Sequence, residues 1–175
     1  VTPKLEEGKP IYLAGLESNR AATGVHDKLY ARAIVLRDGD KKVALVAVDS
    51  IGIPFPLIQS ARRRLKGFDY VLVAATHSHS SPDVIGIWGP APDQSGVNPE
   101  YVKQIRQGIV RAVRKADRAA VPARAEYGTA EDETLLGELS RCMMDASICG
   151  LGQAAPNGLL SVFRHFPEDL ARRRR

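Results

Sequence analysis

The chain has 175 residues, of which 44% are hydrophobic and 26% are charged, an ordinary composition for a globular protein. That length can bury one hydrophobic core, so we expect one domain with an appendage. No apolar run reaches the roughly 18 residues that span a bilayer, so we expect no transmembrane segment. Of the net charge of +5, the four arginines at 172–175 supply all but +1. Because a terminal arginine cluster is usually a solvated tail, we expect no nucleic-acid partner.

Two β-rich runs in the first third of the chain predict a hairpin. Residues 31–37 (ARAIVLR) and 42–48 (KVALVAV) flank the segment Asp38-Gly39-Asp40-Lys41, which contains an Asp-Gly turn. Apolar runs around such a turn are a strong hairpin signal.

The next segments predict a crossover from this hairpin to a parallel strand. Ile58, Ala61 and Leu65 fall on one face of a predicted helix, and Gly67 follows as a stop signal. Residues 70–75 (YVLVAA) are wholly apolar, which is typical of a strand buried on both faces. A helix between two strands forms a right-handed βαβ unit, so we expect these strands to be parallel.

A polar loop and a long helix follow. Residues 81–97 are rich in Pro, Gly, Ser and Asp, which predicts a loop. Asn98 is suited to cap a helix that begins at Pro99, and Pro122 is expected to end it. The predicted buried stripe consists of Val102, Ile105, Ile109, Val113 and Ala116.

The sequence changes character near Thr129. Apolar residues at positions 135, 139 and 143 predict one helix, and a short amphipathic helix is predicted through Phe163 and Phe166. We therefore predict an α/β domain at 1–128, with a partly parallel sheet, a β-hairpin and flanking helices. A small C-terminal helical appendage is predicted at 129–175.

The segment Thr76-His77-Ser78-His79-Ser80 directly follows a predicted strand. In an extended chain residues two apart point to the same side, so we expect both imidazoles to face one space. Ligand crevices of open α/β sheets lie at the carboxyl ends of strands. Two histidines there can supply zinc ligands, or one ligand and one acid–base group. A catalytic zinc usually takes three protein ligands, so residue chemistry alone leaves metal binding open.

Several short motifs occur in a fixed order between residues 2 and about 128. They are Leu13-Ala14-Gly15, Asn19-Arg20, Thr23-Gly24-Val25-His26, Leu29-Tyr30-Ala31-Arg32-Ala33, Val46-Ala47-Val48-Asp49 and Ala75-Thr76-His77-Ser78-His79-Ser80. Together they resemble the N-terminal domain of the neutral/alkaline non-lysosomal ceramidases.

In that family the Thr-His-x-His-Ser turn supplies a zinc ligand with its first histidine. The resemblance therefore implies that His77 is a metal ligand and that His79 is a catalytic histidine, which contacts the substrate or the developing oxyanion. His26 and Asp49 match positions near the same cleft. The implied chemistry is hydrolysis of an N-acyl amide of a lipid by a zinc-bound water.

Two departures from the family bear on activity. Ser81-Pro82 stands where the family usually has Gly-Pro, so a side chain is expected to intrude where the backbone approaches the site. The family's further zinc ligands, which are another histidine, a glutamate and a tyrosine, come from downstream regions that nothing after residue 128 resembles. We therefore expect a fragment of a zinc amide hydrolase with an incomplete active site.

A second resemblance covers residues 133–170. The run at 144–157 (MDASICGLGQAAPN) resembles the C-terminal end of the flavoprotein subunit of respiratory-type NADH dehydrogenases. In that family the cysteine matching Cys149 is the last of four thiolate ligands of a [4Fe–4S] cluster. The Cys-x-x-Cys-x-x-Cys motif that supplies the other three is absent, so we expect no cluster. Cys142 matches none of the four, and two partly buried thiols are the simpler interpretation.

The two resemblances leave the function open between a ceramidase-like hydrolase and a non-enzymatic accessory or remnant piece related to the NADH dehydrogenase subunit. They also imply different compartments, secreted or periplasmic for the first and cytoplasmic for the second. Neither specifies an oligomeric state. Metal content separates them, because zinc would depend on His77 and an iron-sulfur cluster on Cys149.

Overall fold

A computed structural model of the chain describes residues 1–124, 132–146 and 156–165. The chain divides into two compact units, Val1–Val121 and Pro122–Arg175. The elements of the first unit are β1 (Ala31–Asp38), β2 (Lys41–Val48), α1 (Phe55–Arg62), β3 (Tyr70–Ala75) and α2 (Pro99–Arg118). The second unit contains α3 (Asp132–Ala146) and α4 (Asn157–His165). Within these ranges, no helix is long and apolar enough to cross a membrane.

The sheet has three strands in the order β1-β2-β3. β1 and β2 pair antiparallel over their full length, with Gly39 at the turn in a left-handed conformation (φ +53°), which glycine adopts without steric strain. β2 and β3 pair in parallel. The predicted hairpin, the parallel pairing of the crossover strands and the α/β fold class are therefore confirmed.

Helices α1 and α2 pack with one face of the sheet to form the core. On α2, Ile105, Ile109 and Val113 are completely buried, as the predicted stripe requires. The Asn98 side chain caps this helix by accepting a hydrogen bond from the Tyr101 amide at 3.0 Å. The helix ends at Arg118, before the expected stop at Pro122.

Helix α1 is shorter than its apolar stripe. It ends at Arg62, and Leu65 enters the core from the turn that follows, with only 4% of its surface exposed. Ala61 is fully buried, but Leu57 rather than Ile58 supplies the other buried contact. The helix therefore lies rotated slightly from the predicted face.

The other face of the sheet is open and apolar. Its exposed side chains, between 39% and 62% accessible, are Ile34, Leu36, Leu45, Tyr70 and Leu72. The prediction that residues 70–75 are buried on both faces is wrong. Among the described residues, β3 is an edge strand and the helices cover only one side of the sheet, so its apolar run indicates strand formation and not two-sided burial.

Asp117 connects α2 to the sheet. Its carboxylate lies 2.7 Å from Arg37 on β1 and 3.2 Å from Lys42 on β2. The hydrogen bond from Arg37 is the largest of the effects that hold the pKa of Asp117 below its ordinary value of 3.8. A carboxylate with a lowered pKa stabilises the fold above the unfolded-state pKa, and this contribution disappears as pH falls through the lowered folded-state pKa.

We expect Asp117→Asn to reduce the free energy of unfolding by about 1 kcal/mol at neutral pH, because the two ion pairs are partly exposed. The difference from the parent chain should shrink once the pH falls below about 4. Urea unfolding across this pH range measures both values. Asp38→Asn is the control, since Asp38 is exposed and forms no ion pair with the described residues. A difference that stays constant with pH would contradict the prediction.

The second unit confirms the two predicted helices. Leu135, Leu139 and Met143 are 53%, 51% and 44% exposed. Cys142 is also exposed, so the expectation of a partly buried thiol is wrong for this residue. Cys149 and Phe166 lie outside the described residues.

Candidate functional site

The histidine turn begins where β3 ends. His77 has φ +60°, a left-handed conformation that is uncommon for any residue other than glycine. The following residue, Ser78, donates its amide to the Ser50 carbonyl at 3.0 Å. The expectation of an extended chain is therefore wrong at this point. The two imidazoles nevertheless lie together, with ring centroids 4.8 Å apart and planes at 79°.

The His77 ring is oriented by the backbone. Its Nδ1 atom lies 2.8 Å from the carbonyl oxygen of Ile51. A carbonyl can only accept, so Nδ1 carries the proton of the neutral ring and Nε2 keeps a lone pair. Metal-binding histidines are commonly oriented by such a bond from the other ring nitrogen. His77 is thus suited to bind a metal ion through Nε2.

The His79 ring packs against Gly15. Gly15 has φ +81°, and a Cβ atom at this position would lie only 2.2 Å from Nδ1 of His79. Arg20 holds the glycine in place by donating to its carbonyl oxygen at 2.8 Å. Nε2 of His79 is buried and has no hydrogen-bond partner among residues 1–124, 132–146 and 156–165. Because an unpaired buried nitrogen is costly, it is suited to a ligand.

Asp49 lies beside the histidine turn. Its carboxylate accepts from the Tyr30 amide at 2.8 Å and pairs with Arg32 at 3.1 Å. Thr76, which directly precedes His77, donates its hydroxyl to Asp49 at 3.3 Å. These bonds join the start of β1 to the end of β3.

His26 is not brought to the histidine pair by any hydrogen bond or ring contact in the described chain. Its side chain is 98% exposed, and Nδ1 lies 2.8 Å from the neighbouring Asp27. The sequence placed His26 near the cleft only through the family resemblance.

Ser81 holds the histidine turn against the segment after β2. Its side chain is fully buried. The hydroxyl donates to the Ser78 carbonyl at 2.8 Å and accepts from the Ile51 amide at 3.1 Å. The side chain that replaces the family's usual glycine is therefore engaged in hydrogen bonds that support His77.

Asp83, which was not predicted from the sequence, organises the loop that follows. Its carboxylate is completely buried. It accepts backbone hydrogen bonds from Ile85 and Gly86 at 2.8 Å and from Trp88 and Gly96 at 3.2 Å. The available signal was an aspartate just before several loop glycines, because aspartate commonly binds backbone amides of its own turn.

Two imidazoles lie side by side in the described part of the chain. His77 and His79 offer imidazole nitrogens, which zinc favours. No group of three or more His, Cys, Asp and Glu side chains in 1–124, 132–146 and 156–165 could hold a metal ion. The two histidines therefore fit the chemistry of zinc but not its usual number of protein ligands.

The family model described as neutral/alkaline non-lysosomal ceramidase, N-terminal, matches residues 11–138. The chain belongs to this ceramidase family. A second family model, described as the NADH-ubiquinone oxidoreductase-F iron-sulfur binding region, matches residues 106–173 and overlaps the ceramidase match at 106–138. Both predicted resemblances are confirmed, with bounds that differ from 2–128 and 133–170. No curated protein and no solved structure matches the chain.

Proposed function

We propose that this ceramidase-family chain carries part of the active site of a zinc-dependent hydrolase that cleaves the amide of N-acyl lipids. The observation that carries the proposal is the left-handed His77, whose Nδ1 is held by the Ile51 carbonyl while Nε2 is left available. Strained residues persist where the surrounding structure fixes them, and they cluster at functional sites. The family match supplies the reaction class.

In this proposal His77 binds zinc through Nε2. A bound zinc ion supplies polarisation of the amide carbonyl and lowers the pKa of a bound water. The buried Nε2 of His79 offers a hydrogen bond to the substrate or to the oxyanion that develops on its carbonyl oxygen. The loop fixed by Asp83 carries Trp88, which is partly buried against the core, and in this proposal that loop borders the apolar part of the substrate.

We also propose that the active site is incomplete in this chain. Within residues 1–124, 132–146 and 156–165, His77 and His79 offer zinc at most two imidazoles, fewer than its usual three protein ligands, so we expect weak binding. Little or no amide hydrolysis follows from the chain alone.

Zinc titration of the chain after removal of any affinity tag tests the role of His77. We expect His77→Asn to weaken zinc binding about tenfold or more, because a ligand is lost. Asparagine tolerates the left-handed backbone and therefore preserves the turn. The control is His26→Asn, which removes an exposed imidazole and should leave zinc binding unchanged. Equal zinc affinity in His77→Asn and the parent chain would refute the ligand role.

Hydrolysis of a fluorescent ceramide analogue with added zinc tests the incompleteness separately. We expect no fatty acid release above that of His77→Asn. If the parent chain releases fatty acid with zinc and His77→Asn does not, the site is active and the proposal of incompleteness is overturned.

The match at 106–173 favours a second candidate, a non-enzymatic piece related to the iron-sulfur subunit. The sequence contains only two cysteines, whereas such a cluster takes four thiolates. Iron and acid-labile sulfide that are lost in Cys149→Ser, but retained in the control Cys142→Ser, would support this candidate over the hydrolase.

A further inference from the structure

A second concave site lies between the end of α1 and the outer side of α2. Its volume is about 620 Å³, within the usual range for small-molecule sites. None of its lining residues belongs to the histidine site. We call it the basic cleft, because five of its lining residues are cationic: Arg63, Arg64, Lys66, Arg111 and Arg114.

The positive charge of the basic cleft is not neutralised by the described part of the chain. None of the five cations forms an ion pair with residues in 1–124, 132–146 or 156–165. The only carboxylate in the lining is Asp117, which is already paired with Arg37 and Lys42 outside the cleft lining. Cations gathered in a concave site focus the electrostatic field and attract anions.

The cleft also has an apolar floor. Leu65 and Val110 line the cleft with only 4% and 8% of their surfaces exposed, and Phe68 is half-buried, with Lys42 Nζ 5.0 Å from its ring centroid. Arg114 donates to the Arg64 carbonyl at 3.0 Å, which holds one guanidinium across the gap between the two segments. A ligand here would therefore meet both cations and apolar carbon.

We propose that the basic cleft binds a small organic phosphate whose apolar group rests on Leu65, Phe68 and Val110. Guanidinium groups match phosphate oxygens with paired hydrogen bonds, and four of the five cations are arginines. The apolar floor favours a phosphate ester with a hydrocarbon group over inorganic phosphate.

Nucleic acid fits these observations less well. A duplex contacts cations along an extended surface, whereas these five surround a cleft with an apolar floor. Apart from the arginines at 172–175, the chain carries a net charge of only +1.

Calorimetric titration with phenyl phosphate and with inorganic phosphate at fixed ionic strength tests the proposal. We expect phenyl phosphate to bind about fivefold more tightly than inorganic phosphate, because its ring buries apolar surface. We expect Arg111→Gln with Arg114→Gln to weaken phenyl phosphate binding about tenfold or more. Lys115→Gln with Arg118→Gln is the matched control, since it removes the same charge from the same helix outside the cleft lining and should change binding less than about twofold.

The arginine variant must melt at the same temperature as its control, which shows that both remain folded. If they differ, Arg63→Gln replaces the double variant and should weaken phenyl phosphate binding severalfold. If the Lys115 and Arg118 control weakens phenyl phosphate binding as much as the arginine variant does, the binding reflects general charge attraction and the proposed site in the basic cleft is rejected. The proposal is also overturned by tighter binding to duplex DNA than to phenyl phosphate, or by binding of phosphatidic acid vesicles without binding of phenyl phosphate.

Discussion

Asp83→Ala is expected to reduce the free energy of unfolding by about 4 kcal/mol, because it removes the acceptor of four backbone amides in a buried setting. Water cannot readily replace a carboxylate that is completely inaccessible. Trp88, whose amide is one of the four donors, is the only tryptophan in the sequence. Its fluorescence during urea unfolding therefore reports the stability and the packing of this loop.

Two further variants separate the hydrogen bonds of Asp83 from its charge and location. Asp83→Asn keeps the shape of the side chain but replaces one acceptor oxygen with an NH2 donor that faces backbone donors. We therefore expect Asp83→Asn to reduce the free energy of unfolding by about half as much as Asp83→Ala does. Asp93→Ala changes an exposed aspartate of the same loop and should have little effect. Equal stability of Asp83→Ala and Asp93→Ala would show that the four bonds do not hold the loop.

Gly15→Ala is expected to reduce the free energy of unfolding by about 3 kcal/mol, the sum of left-handed strain and crowding. The new methyl group would lie 2.2 Å from Nδ1 and 2.8 Å from Cγ of His79, so the whole imidazole must move. Displacement of His79 should also change its NMR ring signals. Chemical unfolding and a spectrum of the histidine side chains measure the two effects.

Gly8→Ala isolates the contribution of the clash. Gly8 has φ +74°, close to that of Gly15, but an added Cβ meets nothing within 4 Å. This control should lose about 1 kcal/mol from backbone strain alone. If both variants lose the same stability and the His79 signals do not move, the packing of His79 against Gly15 is not tight.

The sequence predicts the local elements well because their signals are local. The turn residues Gly39 and Asp40 close the hairpin, and Asn98 with Pro99 defines the start of α2. The burial of residues 70–75 was mispredicted because it depends on which faces the helices cover, a tertiary property. Strand formation and burial are separate consequences of an apolar run.

The histidine site likewise has features that the local sequence predicts and features that depend on tertiary contacts. The spacing of His77 and His79 correctly predicts that the rings share one space, although the chain is left-handed and not extended at His77. The left-handed turn depends on bonds from distant residues such as Ser81 and Ser50, which no local pattern reveals. Gly15 contacts His79 across 64 positions of sequence, so only the folded chain brings them together.

The open sheet face makes the behaviour of this chain sensitive to its solvent. Exposed Ile34, Leu36 and Leu72 offer apolar surface to any neighbouring molecule. Sulfate and phosphate salts strengthen such contacts, whereas cooling weakens them. Association through this face should therefore increase with temperature and with sulfate, while attraction of anions to the basic cleft decreases as salt rises. A low-salt buffer without sulfate therefore favours the binding of phosphate esters to the basic cleft and also limits association of the chains through the open sheet face.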